Sequence, residues 1–185
     1  MAIELGERER SGIAAAQHAL RPRCEGVRWV PPPQLHLTVK FLGDVGDRNV
    51  PGVVDAVMRA AAESPPFEME LSGCGCFPPG GPVRIVWVGG SEPSGALNHC
   101  VERVERELEP LGFPRERRPF SPHLTMGRVR EDRTNGRLRS AVEAQKFAAT
   151  PVSVSSVTVM SSVLSPRGPT YAPVATIPLG RAEQP

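Results

Sequence analysis

The tetrapeptides His36-Leu37-Thr38-Val39 and His123-Leu124-Thr125-Met126 repeat one residue pattern, once in each half of the chain. Each lies in an apolar run. Around the first copy Leu35, Leu37, Val39 and Phe41 fall on one side while His36, Thr38 and Lys40 fall on the other, the alternation of a strand with one buried face. Side chains two residues apart on a strand point the same way, so each copy sets an imidazole beside a hydroxyl.

The flanking segments repeat in kind. Residues 7–20 have helical composition around Ile13, Ala14, Ala16 and Leu20, and Val27–Val30 reads as a short strand ended by Pro31-Pro32-Pro33. The first motif strand spans Leu35–Leu42, with a Gly43–Asp47 turn behind it, a helix over 50–63, and strands at Phe67–Leu71 and Val83–Val88. A second helix runs from about Ser94 to Leu108, with Leu97, Val101, Val104 and Leu108 at three-to-four spacing. Then comes the second motif strand, His123–Val129, a helix at about Gly136–Phe147, and strands at Val152–Leu164 and Tyr171–Leu179. Helix, His-x-Thr strand, helix, strand, strand in both halves is the outline of an internal duplication within one domain spanning residues 1–185. Packing two copies with pseudo-twofold symmetry would bring His36/Thr38 and His123/Thr125 together.

Charge and cysteine content narrow the class. A formal net charge of +2 is too small for a general polyanion binder, and the cations are almost all Arg, with Lys only at Lys40 and Lys146. Cys24, Cys74, Cys76 and Cys100 lack the spacing of a secreted disulfide framework and read as reduced thiols, with Cys74-Gly75-Cys76 in a turn. No run approaches the roughly 18 apolar residues that cross a bilayer, and the expectation is a cytoplasmic protein.

The paired motifs carry chemistry. One neutral and one protonated imidazole can act together as general base and general acid, as in-line displacement at phosphorus requires, and hydroxyls with strand amides can bind the non-bridging oxygens. Arg128, on the second motif strand, could add a bidentate phosphate contact, and Lys40, on the His36 face, reads either as a further one or as a solvated lysine on a strand edge. His18 and His99 read as ordinary helix residues. Two His with two Thr offer too few ligands for a metal site, so neither metal nor cofactor is expected.

At these residues the chain resembles the 2H phosphoesterase superfamily, and within it the RNA 2',3'-cyclic phosphodiesterases, also called 2'-5' RNA ligase-like proteins. The segments that carry the likeness are Arg28-Trp29-Val30-Pro31-Pro32 leading into Leu35–Gly43, then Pro119-Phe120-Ser121-Pro122-His123-Leu124-Thr125-Met126-Gly127-Arg128, Ser162-Val163-Leu164 and a Gly168-Pro169-Thr170-Tyr171 turn. The resemblance implies a duplicated bilobal α+β fold, with two antiparallel sheets flanking a central cleft and helices outside. It also implies metal-independent hydrolysis of RNA 2',3'-cyclic phosphate ends, or of nucleoside 2',3'-cyclic phosphates, to 2'-phosphomonoesters. The expected state is a monomer, since a duplicated chain already supplies internally the symmetry a homodimer would provide. By position, His36 would protonate the leaving 3'-oxygen and His123 would activate water, with Thr38, Thr125 and Arg128 on the phosphate. Phe41 falls where it would contact a base or fill the core, and its placement with Leu37 and Val39 favours the core. Ligation to a 2'-5' linkage by the reverse reaction, and a non-catalytic nucleotide- or RNA-binding module, are the alternatives.

Overall fold

A computed structural model describes residues 1–165 and 168–180. The elements, in chain order, are β1 (Ala2–Glu4), α1 (Glu7–Leu20), β2 (Val27–Trp29), β3 (His36–Thr38), α2 (Val50–Ala62), β4 (Phe67–Phe77), β5 (Ile85–Ser91), α3 (Ala96–Leu108), β6 (His123–Val129), α4 (Leu138–Glu143), β7 (Thr150–Val154), β8 (Ser156–Ser165) and β9 (Gly168–Pro178). No helix among the described residues is long and apolar enough to cross a membrane.

Local sequence accounts for the helices. Glu7 and Glu9 stand in the first turn of α1, where a carboxylate favours the positive end of the helix dipole, and Ile13, Ala16 and Leu20 form its buried stripe. Pro51 opens α2, where a missing N–H costs no helix bond, and Val53, Ala56, Val57 and Ala60 turn inward. In α3 the expected Leu97, Val101, Val104 and Leu108 are the buried face, and Glu92 accepts the Leu97 N–H at 2.9 Å at its start.

The fold is α+β. Its strands run in the order β7-β4-β5-β6-β3-β1-β8-β9, all neighbours being antiparallel, with β2 added to β6. The two expected sheets are therefore joined into one. The joint is the contact between the motif strands, where Leu37 of β3 pairs with Leu124 of β6, both fully buried.

Several elements differ from expectation. The strand over Leu35–Leu42 shortens to three residues, because Val39 and Lys40 turn away to give their N–H groups to the Met1 carbonyl. Strand β4 runs on through Cys74-Gly75-Cys76 instead of turning there. A bulge between Ser72 and Cys74 lets pairing with β5 continue to Phe77. Gly75 is required on that strand, since a Cβ there would come within 2.2 Å of the Trp87 ring. The segment Val152–Leu164 is two strands, β7 and β8, on opposite sides of the strand order. Gly168 to Tyr171 begin strand β9 rather than forming a turn, with Gly168 opposite Ser165.

Candidate active site

Because β3 and β6 are antiparallel and meet at Leu37 and Leu124, His36 falls opposite Thr125, and Thr38 opposite His123. Each imidazole is thus set next to the other motif's hydroxyl, and the two histidines sit diagonally about the leucine pair. Both rings are held the same way. His36 Nδ1 lies 2.9 Å from the Gln34 carbonyl and His123 Nδ1 lies 2.8 Å from the Ser121 carbonyl. A carbonyl can only accept, so each Nδ1 carries the proton, and Nε2 is left to take or give one.

His36, Thr38, Thr125 and Arg128 line one cavity of about 400 Å³, walled also by Arg28, Trp29, Gln34 and Tyr171. His123 is not part of that wall. It stands on β6 two residues before Thr125, its ring edge-on to Phe77 with centroids 4.9 Å apart, and Phe77 in turn leans on Trp87 at 5.3 Å. His36 is packed edge-on against Tyr171 at 4.6 Å.

Arg128 reaches the cavity through an irregularity that simple alternation does not foresee. His123 and Thr125 share a face, and an even-numbered residue farther along should point away from it. Val86 of β5 pairs with Gly127 and Trp87 with Thr125, so Met126 is an extra residue on β6. This bulge shifts the alternation: Met126 and Gly127 are both buried, and Arg128 emerges with the motif residues. The Met126 carbonyl at the bulge accepts the Val30 N–H at 2.8 Å and the side-chain amide of Gln17 at 2.9 Å. The same amide donates to the Val30 carbonyl at 2.8 Å, so Gln17, 2% exposed on α1, ties the end of β2 to the bulge.

The two histidines differ in surroundings. Glu4 of β1 pairs with His36, while Gly89 of β5 stands opposite His123. The Glu4 carboxylate accepts the Thr158 hydroxyl at 2.9 Å. Burial pushes the His36 imidazole below its ordinary pKa, and the Gln34 carbonyl and the Glu4 charge act the other way.

Two expected contacts are elsewhere. Lys40, 9% exposed, directs its ammonium to Glu105 at 3.1 Å and to the Pro114 carbonyl at 2.8 Å, because the chain has left the strand by this point and buries Lys40 against α3. Phe41 is 81% exposed, neither core nor cavity wall, for the same reason: the alternation that would bury it stops at Thr38. Conversely, Arg28 and Tyr171 line the cavity and Gln17 supports it, although strand alternation and the paired motifs do not mark them. Gln17 was findable, as an amide between Ile13 and Leu20 on an otherwise apolar helix stripe.

The chain matches the 2'-5' RNA ligase superfamily model over residues 9–164. A protein of Methanothermobacter thermautotrophicus named RNA 2',3'-cyclic phosphodiesterase is 33% identical over 172 residues, 92% of each chain. One of Archaeoglobus fulgidus with the same name is 34% identical over 149 residues, 79% of this chain and 80% of that one. Among solved structures, one from Thermus thermophilus superposes with a TM-score of 0.81 at 27% identity, over 99% of this chain and 97% of that chain. Apo E. coli LigT superposes at 0.76 over 97% and 95%, and at 24% identity this is a likeness of fold.

Proposed function

Because the chain belongs to the 2'-5' RNA ligase superfamily, we propose that it is an RNA 2',3'-cyclic phosphodiesterase that opens the cyclic phosphate at an RNA end to a 2'-phosphomonoester. The observation that carries this reading is the Leu37–Leu124 pairing, which sets both His-x-Thr pairs on adjacent strands. A duplicated, bilobal origin for the fold accords with that pairing, since equivalent residues meet at it. One chain supplies both motif strands, so the unit of activity is the monomer.

In the proposed reaction His123 Nε2 takes a proton from a water molecule as its oxygen attacks phosphorus. The bond from phosphorus to the 3'-oxygen breaks, and His36 delivers its Nε2 proton to that oxygen. The phosphate remains on the 2'-oxygen, His36 ends neutral and His123 ends protonated. Proton exchange with solvent restores both. Thr38, Thr125 and Arg128 bind the non-bridging oxygens, where negative charge accumulates in the transition state. Tyr171 fixes the His36 ring by its edge contact, and Phe77 does so for His123.

The test is hydrolysis of a nucleoside 2',3'-cyclic phosphate in the presence of EDTA, with the product isomer resolved. The reading requires the 2'-phosphate, formed at a rate that chelator does not change. A 3'-phosphate product would reverse the direction of opening, and absence of turnover would remove the catalytic reading.

A further inference from the structure

Strand β2 is only three residues long, and its middle residue, Arg28, is paired directly with Arg128 of β6. Like charges facing each other across an antiparallel pair repel. Both side chains line the cavity that holds His36 and Thr125, and no Asp or Glu lines it with them among the described residues. Some arginines elsewhere are answered by carboxylates: Arg59 meets Glu107 at 2.7 Å and Arg106 meets Glu63 at 2.7 Å. Among the described residues neither Arg28 nor Arg128 has such a partner. Two facing guanidinium groups without carboxylates, in a cavity walled by hydroxyls, imidazole and aromatic rings, suit a ligand that brings more than one negative charge.

We propose that Arg28 forms a second phosphate subsite, which binds the phosphodiester on the 5' side of the terminal nucleotide while Arg128, Thr38 and Thr125 hold the cyclic phosphate. This inference rests on the cyclic phosphodiesterase reading and specifies its substrate: an RNA chain rather than a lone nucleoside cyclic phosphate. The 5'-phosphate is the next anion along the same nucleotide. Arg28 and Arg128 start from adjacent backbone positions and can spread to two such groups. Separate placement of the anions also offsets the repulsion between the two facing guanidinium groups. Arg28 binds substrate without touching the reacting atoms, and its effect falls on recognition.

Two measurements on the full chain test the subsite. In calorimetric titrations adenosine 2',5'-bisphosphate should bind the unsubstituted protein at least tenfold more tightly than adenosine 2'-phosphate, and in R28Q that ratio should fall to near one. Equal affinities in the unsubstituted protein, or a ratio that survives in R28Q, would overturn the proposal. In turnover assays the dinucleotide ApA with a 2',3'-cyclic end should exceed adenosine 2',3'-cyclic phosphate in kcat/KM at least tenfold, again only while Arg28 is present. A gain for the bisphosphate with none for the dinucleotide would overturn an RNA chain as the ligand. Hydrolysis of both substrates at equal kcat/KM would remove the subsite and keep the phosphodiesterase reading. An Arg28-dependent gain in binding with no hydrolysis would keep the subsite and remove that reading.

Discussion

Leu37 and Leu124 face each other at the single register position that joins β3 to β6, and both are fully buried. Their side chains fill the core on one face of the sheet, while the four motif side chains occupy the other. Truncating either leucine to Ala should cost about 3 kcal/mol through lost burial and a residual cavity. Denaturant unfolding measures this, and a loss below about 1 kcal/mol would mean that the joint is not a well-packed core position.

The protonation of His36 is open to direct measurement. As the proposed acid it must be protonated to act, and burial places its pKa below the ordinary imidazole value, so the fraction of free protein able to act falls as pH rises through that value. In an NMR titration of the free protein the His36 ring should therefore titrate below about 6.5. An anionic phosphate bound beside the ring favours the imidazolium and should raise that value. Glu4→Gln removes a charge that favours the proton on His36 and should lower it further. A His36 ring that titrates above the ordinary value in the free protein would contradict burial as the governing influence.

Gln17 supports the bulge that turns Arg128 into the cavity. Gln17→Leu leaves the Val30 carbonyl without its amide partner and the Met126 carbonyl with one donor instead of two. The expected stability loss is about 1–3 kcal/mol, and KM for a cyclic phosphate should rise as Arg128 loses its aim. An unchanged KM would show that the bulge holds without the amide.

Lys40 and Phe41 separate stability from chemistry. Lys40→Met leaves the Glu105 carboxylate without its ammonium in a largely buried setting and should destabilise by about 3 kcal/mol, with kcat of the folded protein unchanged. Phe41→Ser alters a side chain exposed to solvent and should stay within about 0.5 kcal/mol. Thermal unfolding and turnover on the same samples distinguish these outcomes from a substrate contact at Lys40.

The helices and motif strands were legible because their signals are local. The 3.6-residue spacing of Leu97, Val101, Val104 and Leu108 names the buried face of α3 directly. The range of β6, His123–Val129, is also as the sequence implies. What local pattern does not encode is where alternation breaks. Alternation misplaces Lys40 and Phe41 because β3 stops at Thr38, a limit set by the hydrogen bonds to Met1. The cavity position of Arg128 depends on an extra residue at Met126, which only the pairing with β5 reveals. Cys74-Gly75-Cys76 suggested a turn by composition, although the glycine serves a strand by making room for Trp87. Nothing in the local sequence marks Arg28, since its meaning arises from Arg128 across the sheet.

If His36 and His123 act as one acid–base pair, a double-mutant cycle shows it most directly. Hydrolysis of a nucleoside 2',3'-cyclic phosphate would be measured for His36→Ala, His123→Ala and the double variant, with folding checked by circular dichroism. Each single variant should lose on the order of 10³-fold or more in kcat. The double variant should lose little beyond either, because groups that act as a unit are not additive. Full activity in either single variant, or losses that multiply in the double, would contradict a shared proton relay.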